Sequence, residues 1–515
     1  MKNIEDMSLE EKLGQIFMIE LSTSYVTEKE ETFLKKYKLS NYVYFAKNLK
    51  DYKNIQALSR KLQEISKENC DIPAFISVDQ EGGMVARVFS GATHFPSNMA
   101  ITYSGMSDKI ETMGEMVACE LLRLGINFNL APCLDVNNNP SNPVIGIRSY
   151  SDDPYVVAKS GASYIKGLQK KGVIASAKHF PGHGDTDVDS HLGLPVVQHT
   201  MDRLHKIELI PFIEAIKNDV ASIMTSHILF PNIDDTSLPA TLSPKVLTDL
   251  LRKELNFEGL IITDSMTMNA IKEKYTTEKG CVLSLLAGAD IVCICGDLDI
   301  IEKSYIEVKK AVEKGTIPMS IIDTAITRIL KYKDKYNVSF DVDVKNEAKE
   351  VYEEHESLAN EFSKKSIYVL RDNKKLLPID KSKNIFAIST PVIKANIADD
   401  SLVIQTEFSK KFYEVFDGSC DYAIISINPS DDEQNDILAK IKKDDLVVFA
   451  TYNGFLNKEQ LNLANKISVN NDLINISLRI PYDSNELSSD VTAIHAFEYT
   501  NKSVLNVINH ILPNK

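Results

Sequence analysis

The stretch Lys178–His191, KHFPGHGDTDVDSH, gathers side chains able to do chemistry: His179, His183 and His191, with Asp185, Asp187 and Asp189. The whole chain of 515 residues holds 10 histidines, so three in one short segment is a strong local bias. Gly182 and Gly184 flank His183 and free the backbone to bend. The apolar run Val173–Ala177 leads in, so the segment reads as a polar loop leaving a strand, where α/β enzymes often hold reactive groups. Two chemistries fit. Imidazoles and carboxylates at this density are ligands for zinc or manganese. Alternatively, Asp189 and His191, spaced Asp-Ser-His, point to one side of an extended segment. The carboxylate would then orient the imidazole and raise its pKa from an intrinsic ~6.5. A solvated loop is the bland third reading.

Other candidates stand at the ends of apolar runs. Asp264 follows Leu260–Thr263, which would deliver a carboxylate to the end of a strand; the bland alternative is a cap on a helix starting near Met266. Lys178 and His179 sit where strand turns to loop, and burying such a pair without a partner is costly. Asp79 lies in Val78–Gly83, VDQEGG, whose Gly82 and Gly83 permit close backbone approach. Arg148 lies in Gly146–Tyr150, GIRSY, and Arg87 follows the glycine pair; for both, a surface salt bridge is the competing reading. Asp135 and His227 also fall at strand ends, as supports.

Taken together, KHFPGHG followed by D-x-H, with VDQEGG, Asn127–Val136 (NFNLAPCLDV), GIRSY and Thr263–Met266 (TDSM), resembles glycoside hydrolase family 3, in particular its β-N-acetylglucosaminidase branch. The pieces occur in the family's order across most of the first 335 residues. The resemblance implies a retaining glycosidase acting on terminal β-linked GlcNAc, with peptidoglycan-derived fragments as substrates. It implies that Asp264 forms a glycosyl ester and that His191, supported by Asp189, is the acid/base. It implies that Asp79, Arg87, Arg148, Lys178 and His179 bind the sugar. His183, Asp185 and Asp187 then shape the loop. A neutral imidazole repels an anionic acceptor less than a carboxylate would, so a phosphorylase stays open beside the hydrolase, as does a family 3 hydrolase acting on another β-hexoside. The partner implied is a small carbohydrate. No cofactor and no resident metal is implied.

Eight strand-like runs must position these groups: Gly14–Glu20, Tyr42–Phe45, Ala74–Val78, Phe128–Pro132, Ile174–Ala177, Ser222–Ser226, Leu260–Thr263 and Asp290–Cys295. Helical stretches alternate with them, including Asp108–Leu124, Pro154–Lys170 and Met201–Lys217. The pattern predicts a (β/α)8 TIM-type barrel over 1–335, although an open doubly wound sheet alternates in the same way. A charged linker, 336–358, with a predicted helix over 346–355, leads to a second domain, 359–515. Its strands, Ser366–Leu370, Asn384–Ser389, Tyr422–Ile427, Leu446–Thr451 and Asp472–Leu478, predict a parallel α/β/α sandwich.

Composition narrows the partners. A net charge of −14, spread along the chain, argues against a nucleic-acid surface and against attraction to anionic lipid. The N-terminal residues lack a signal-peptide apolar core, and no stretch is long enough to span a bilayer. Seven cysteines, several in apolar runs, fit a reducing, cytoplasmic setting. Cys293 and Cys295 face one side of a predicted strand and read as small buried hydrophobes.

Overall fold

The structure, a computed structural model, describes residues 2–190, 193–342, 348–391 and 407–513. The first part contains β1 (Phe17–Glu20), β2 (Asn41–Tyr44), β3 (Phe75–Val78), β4 (Phe128–Asn129), β5 (Ile174–Phe180), β6 (Ser222–Thr225), β7 (Leu260–Thr263) and β8 (Val292–Ile294). They pair in parallel in the order β8-β1-β2-β3-β4-β5-β6-β7. A further parallel bridge, Ile262 to Ile291, joins the two ends. The sheet therefore closes on itself, which decides for the barrel over the open sheet. Strands buried on both faces carry continuous apolar runs, as Phe17–Ile19 of β1 and Leu260–Ile262 of β7 do.

Local chemistry moved several boundaries. The run starting at Gly14 opens in a helix, Leu9–Ile16, because Ser8 and Glu11 form a capping box. The stretch 201–217 is two helices, Met201–Lys206 and Ile210–Lys217, the second restarting with Pro211 in its first turn. β4 is short, and its pairing with β5 resumes as a bridge between Cys133 and Lys178. β5 runs on to Phe180, so Lys178 and His179 belong to the strand itself. Of the helix expected over 346–355, positions 346 and 347 lie outside the described residues, 348–352 are not helical, and the helix spans Glu353–Lys365.

The second sheet comprises β9 (Tyr368–Arg371), β10 (Ile385–Ser389), β11 (Cys420–Ile424), β12 (Leu446–Tyr452), β13 (Leu473–Leu478) and β14 (Thr492–His495), in the order β9-β14-β13-β12-β10-β11. β9 is antiparallel to β14, so the sheet is mixed at one edge rather than wholly parallel. Alternate residues of β12 enter different cores: Leu446, Val448, Ala450 and Tyr452 join one with Phe408 and Ile508, while Val447 and Phe449 join another with Leu461 and Ile467. This two-sided packing makes the α/β/α sandwich. Among the described residues no helix is long and apolar enough to cross a membrane.

Below the barrel, Lys333 of the helix Met319–Lys335 is fully buried. Its Nζ donates to Gln15 Oε1 at 2.6 Å and Asn41 Oδ1 at 2.9 Å and lies 4.7 Å from the Phe75 ring centroid. Burial pushes the ammonium down to about 7. Between that value and the unfolded lysine value of about 10.4, the unfolded chain binds a proton that the folded chain does not, so this group makes stability rise with pH. Comparing urea or thermal unfolding of wild type and Lys333→Met from pH 7 to 9.5 should show wild type gaining stability relative to the variant across that window.

Candidate active site

The C-terminal ends of the barrel strands open on a cavity of about 520 Å³. Its lining includes Asp79 after β3, Arg148 from the turn Gly146–Arg148 after β4, Lys178 and His179 from β5, and Asp264 after β7. Arg87 joins them just beyond a hairpin, Gln80–Gly82 with Val85–Ala86. Six of the eight candidates thus meet, although they are up to 185 positions apart in the chain (264 − 79). Asp189 is buried beside Ser190, which lines the cavity. His191 lies outside the described residues.

A buried charge network forms the cavity's polar wall. Lys178 Nζ lies 2.7 Å from both Asp79 Oδ1 and Glu81 Oε1. Arg148 makes a bidentate pair with Glu81, Nε to Oε2 at 3.0 Å and Nη2 to Oε1 at 2.8 Å. Arg87 Nη2 stands 4.0 Å from Asp79 Oδ2, and its guanidinium lies 5.6 Å from the Phe45 ring centroid. Burial would raise the Glu81 carboxyl, but Arg148 and Lys178 outweigh it and hold the group well below the usual carboxylate range. Burial would likewise lower the Lys178 ammonium, and Asp79 and Glu81 reverse this. The surface-salt-bridge reading of Arg148 therefore fails. Glu81 was passed over in the sequence. It stands two residues from Asp79 in an extended stretch, so both carboxylates can face one way, and that spacing was the available signal.

A second network sits behind the first. Asp135, fully buried, accepts from His179 Nδ1–H at 2.7 Å and from the backbone N–H of His183 at 2.6 Å. The backbone N–H of His179 and the Cys133 thiol also reach it, each at 3.2 Å. Burial would raise its carboxyl, and the His179 imidazole outweighs that and keeps it well below the usual range. Among the described residues, Cys133, Asp135 and His179 are the group close enough to hold a metal ion. Four donors already engage the Asp135 carboxylate, so it fits a hydrogen-bonded scaffold better than a ligand set.

The loop after β5 is pinned at several points. Burial, and then His179, push His183 down to about 4, so it stays neutral. The Thr186 hydroxyl donates to His183 O, so His183 Nδ1–H donates to Thr186 Oγ1 at 2.7 Å, and Nε2 accepts from Ser190 Oγ at 3.2 Å. Gly184 cannot be replaced: a Cβ there would lie 1.7 Å from Val136 O. Asp185 pairs with His199 at 2.8 Å, while Asp187 is exposed. Ser190 O accepts from Ala270 N–H at 3.4 Å, tying this loop to the helix Asn269–Tyr275. That helix is capped at Met268, so Asp264 does not cap it. Instead, Asp264 Oδ1 accepts from Ser265 N–H at 2.7 Å, and His227 Nε2–H donates to Ser265 O at 3.0 Å, which supports the turn beside Asp264. On the neighbouring strand end, Cys293 and Cys295 line the wall with their sulfurs 3.7 Å apart, and Cys293 O accepts from Met266 N–H at 2.9 Å.

A parallel barrel whose mouth holds a charged cavity large enough for a sugar ring is the frame of many hydrolases. Residues 8–332 match the Glycosyl hydrolase family 3 N terminal domain, and the chain belongs to that family of glycoside hydrolases. Beta-hexosaminidase A of Pseudoalteromonas piscicida is 36% identical over 324 residues, 59% of this chain and 54% of that protein. The chain thus spans about half the length of this relative. A Beta-hexosaminidase of Hydrogenovibrio crunogenus is 30% identical over 300 residues, 56% of this chain and 82% of that one. The solved structure of a glycoside hydrolase family 3 beta-N-acetylglucosaminidase from Paenibacillus sp. is similar with a TM-score of 0.90 at 34% identity, covering 98% of this chain and 96% of that one. These findings bear out the family resemblance and the two-part α/β architecture.

Removing one partner from a buried ion network leaves uncompensated charge. Glu81→Gln should therefore destabilise the protein by about 3 kcal/mol, read from urea unfolding at pH 7.

Proposed function

We propose that the protein is a retaining exo-β-N-acetylglucosaminidase that releases terminal β-linked GlcNAc, with peptidoglycan-derived fragments as its substrates in a reducing, cytoplasmic setting. The barrel, 1–335, does the chemistry, and 336–358 connects it to the domain over 359–515. Asp264 attacks the anomeric carbon and forms a glycosyl ester while His191 protonates the departing glycosidic oxygen. In the second step neutral His191 takes a proton from water, which hydrolyses the ester and restores Asp264. Asp189 holds the imidazole in the productive tautomer. Asp79 and Glu81 accept from sugar hydroxyls, Lys178, Arg148 and Arg87 present donors to the same ring, and His179, whose Nδ1–H is committed to Asp135, offers Nε2 as an acceptor.

The observation that carries this reading is the bond from Ala270 N–H to Ser190 O. It ties the loop containing Asp189-Ser190-His191 to the helix that follows Asp264. Ser190, which follows Asp189, is thus held near the turn that carries Asp264, which supports a double displacement shared between these two segments. All seven cysteines are free thiols, which supports the reducing setting.

The test is a panel of aryl glycosides (β-GlcNAc, β-GalNAc, β-glucoside, β-glucosaminide) assayed with and without phosphate. The β-GlcNAc compound should turn over best and release free GlcNAc; a sugar phosphate would assign phosphorolysis instead. Asp264→Ala should lose about 10⁴-fold or more in kcat, and undiminished turnover would refute the nucleophile. His191→Ala should lose about 10²- to 10⁴-fold, most on poor leaving groups. Exhaustive chelation should leave the rate unchanged; a loss restored by zinc or manganese would return the Cys133–Asp135–His179 group to a catalytic role.

A further inference from the structure

Among the described residues, everything that lines the cavity comes from the barrel, yet two of the cavity's turns are anchored outside it. Met84, three residues after Glu81, and Ile147, immediately before Arg148, are buried in the apolar core of the second domain with Leu478, Ile480 and Phe497. Ile480 reaches the turn closely enough that a Cβ on Gly146 would lie 3.1 Å from its Cγ2. Asn137, at the far end of the same barrel loop, donates from Nδ2 to the Tyr482 hydroxyl at 2.7 Å.

The hairpin after β3 is held by a parallel set of contacts. His94 Nε2–H donates to Gly83 O at 2.7 Å, and Gly83 N–H donates to Phe95 O at 2.9 Å. The segment that makes these bonds is itself tied to the second domain. Ser97 Oγ donates to Phe497 O at 3.2 Å, and Lys502 Nζ bonds His94 O at 3.2 Å and Glu356 at 2.9 Å. The short helix Asn98–Tyr103 connects both sets. Asn98 Nδ2 donates to Arg148 O at 2.6 Å, and the Tyr103 ring lies 4.2 Å from that of Phe497, tilted by 33°.

We infer that the second domain positions the sugar-binding pair Glu81–Arg148, through Ile480 against the Arg148 turn, through Phe497 by way of the helix Asn98–Tyr103, and through Lys502 by way of His94 and the Glu81 hairpin, while donating no group to the reaction. These are positioning residues. A bidentate pair tolerates little displacement, so loosening either anchor lets the two partners drift and weakens ground-state hold on the ring. The inference takes from the proposed function only that this cavity binds the sugar.

The test pairs hydrogen–deuterium exchange with kinetics on the full-length chain. In Ile480→Ala, peptides covering 80–86 and 144–150 should exchange faster than in wild type, while 154–170 on the barrel's outer wall stays unchanged. KM for the aryl β-GlcNAc substrate should rise roughly tenfold with kcat within about threefold. If Ile480→Ala unfolds the second domain, seen as faster exchange across 446–478, Lys502→Met supplies the same measurement on the hairpin alone, with Lys502→Arg restoring wild-type behaviour. Unchanged exchange in both cavity segments, or a loss confined to kcat, overturns the inference. A wild type with no turnover on any glycoside sinks the proposed reaction instead, and the exchange data then decide this inference by themselves.

Discussion

The structure depends on a compensated set of charges largely withdrawn from water in the wall of the cavity. Asp79, Glu81, Lys178 and Arg148 carry two negative and two positive charges within salt-bridge distance of one another. Removing each from water costs several kcal/mol, and that cost is offset only because every charge has a partner at close range and good geometry. These four charges balance one another, so an uncharged sugar can enter without upsetting them. It also presents donors and acceptors already turned inward, which spares the ligand the cost of organising them. The members ride on three segments, the stretch after β3, the turn at Arg148 and β5, so the network also fixes these relative to one another.

The barrel explains why residues so distant in sequence can take part. A parallel strand delivers its last residue to the same rim as its neighbours, whatever the length of the helix between them. The bridge from Ile262 to Ile291 matters here, since it brings the strand before Asp264 against the one carrying Cys293. An open sheet would spread the same residues along an edge. The second network, centred on Asp135, stands behind the first and holds the backbone at His179 and His183, so the loop starts from a fixed origin.

Much of this was legible from residues alone, for physical reasons that differ by case. Asp264 could be read because an unbroken apolar run ends at it, and the helix it might have capped begins five residues later at Asn269. Lys178 and His179 could be read because charged residues at the end of a buried strand need partners. Glu81 could not be weighed properly, since only the folded hairpin turns it toward Arg148 rather than solvent. The strand over 366–370 was legible but the reversed direction of β9 was not, and the last strand β14 escaped, because a four-residue segment such as TAIH carries no orientation signal. Nor could any pattern in the chain announce that Met84 and Ile147 leave the barrel's own core for another one. Such contacts depend on how two separately folded layers meet, which local periodicity does not encode.

The two thiols on the cavity wall bear on reaction fidelity. The neighbouring Cys295 thiol, then burial, and then the carboxylates of Asp264 and Asp79 keep the Cys293 thiol protonated, far above its ordinary range. A thiolate in that position would be a softer and stronger rival for an electrophilic anomeric carbon, and the resulting thioglycoside would resist water and trap the protein after one event. Holding the Cys293 sulfur as a thiol removes that rival from the cavity.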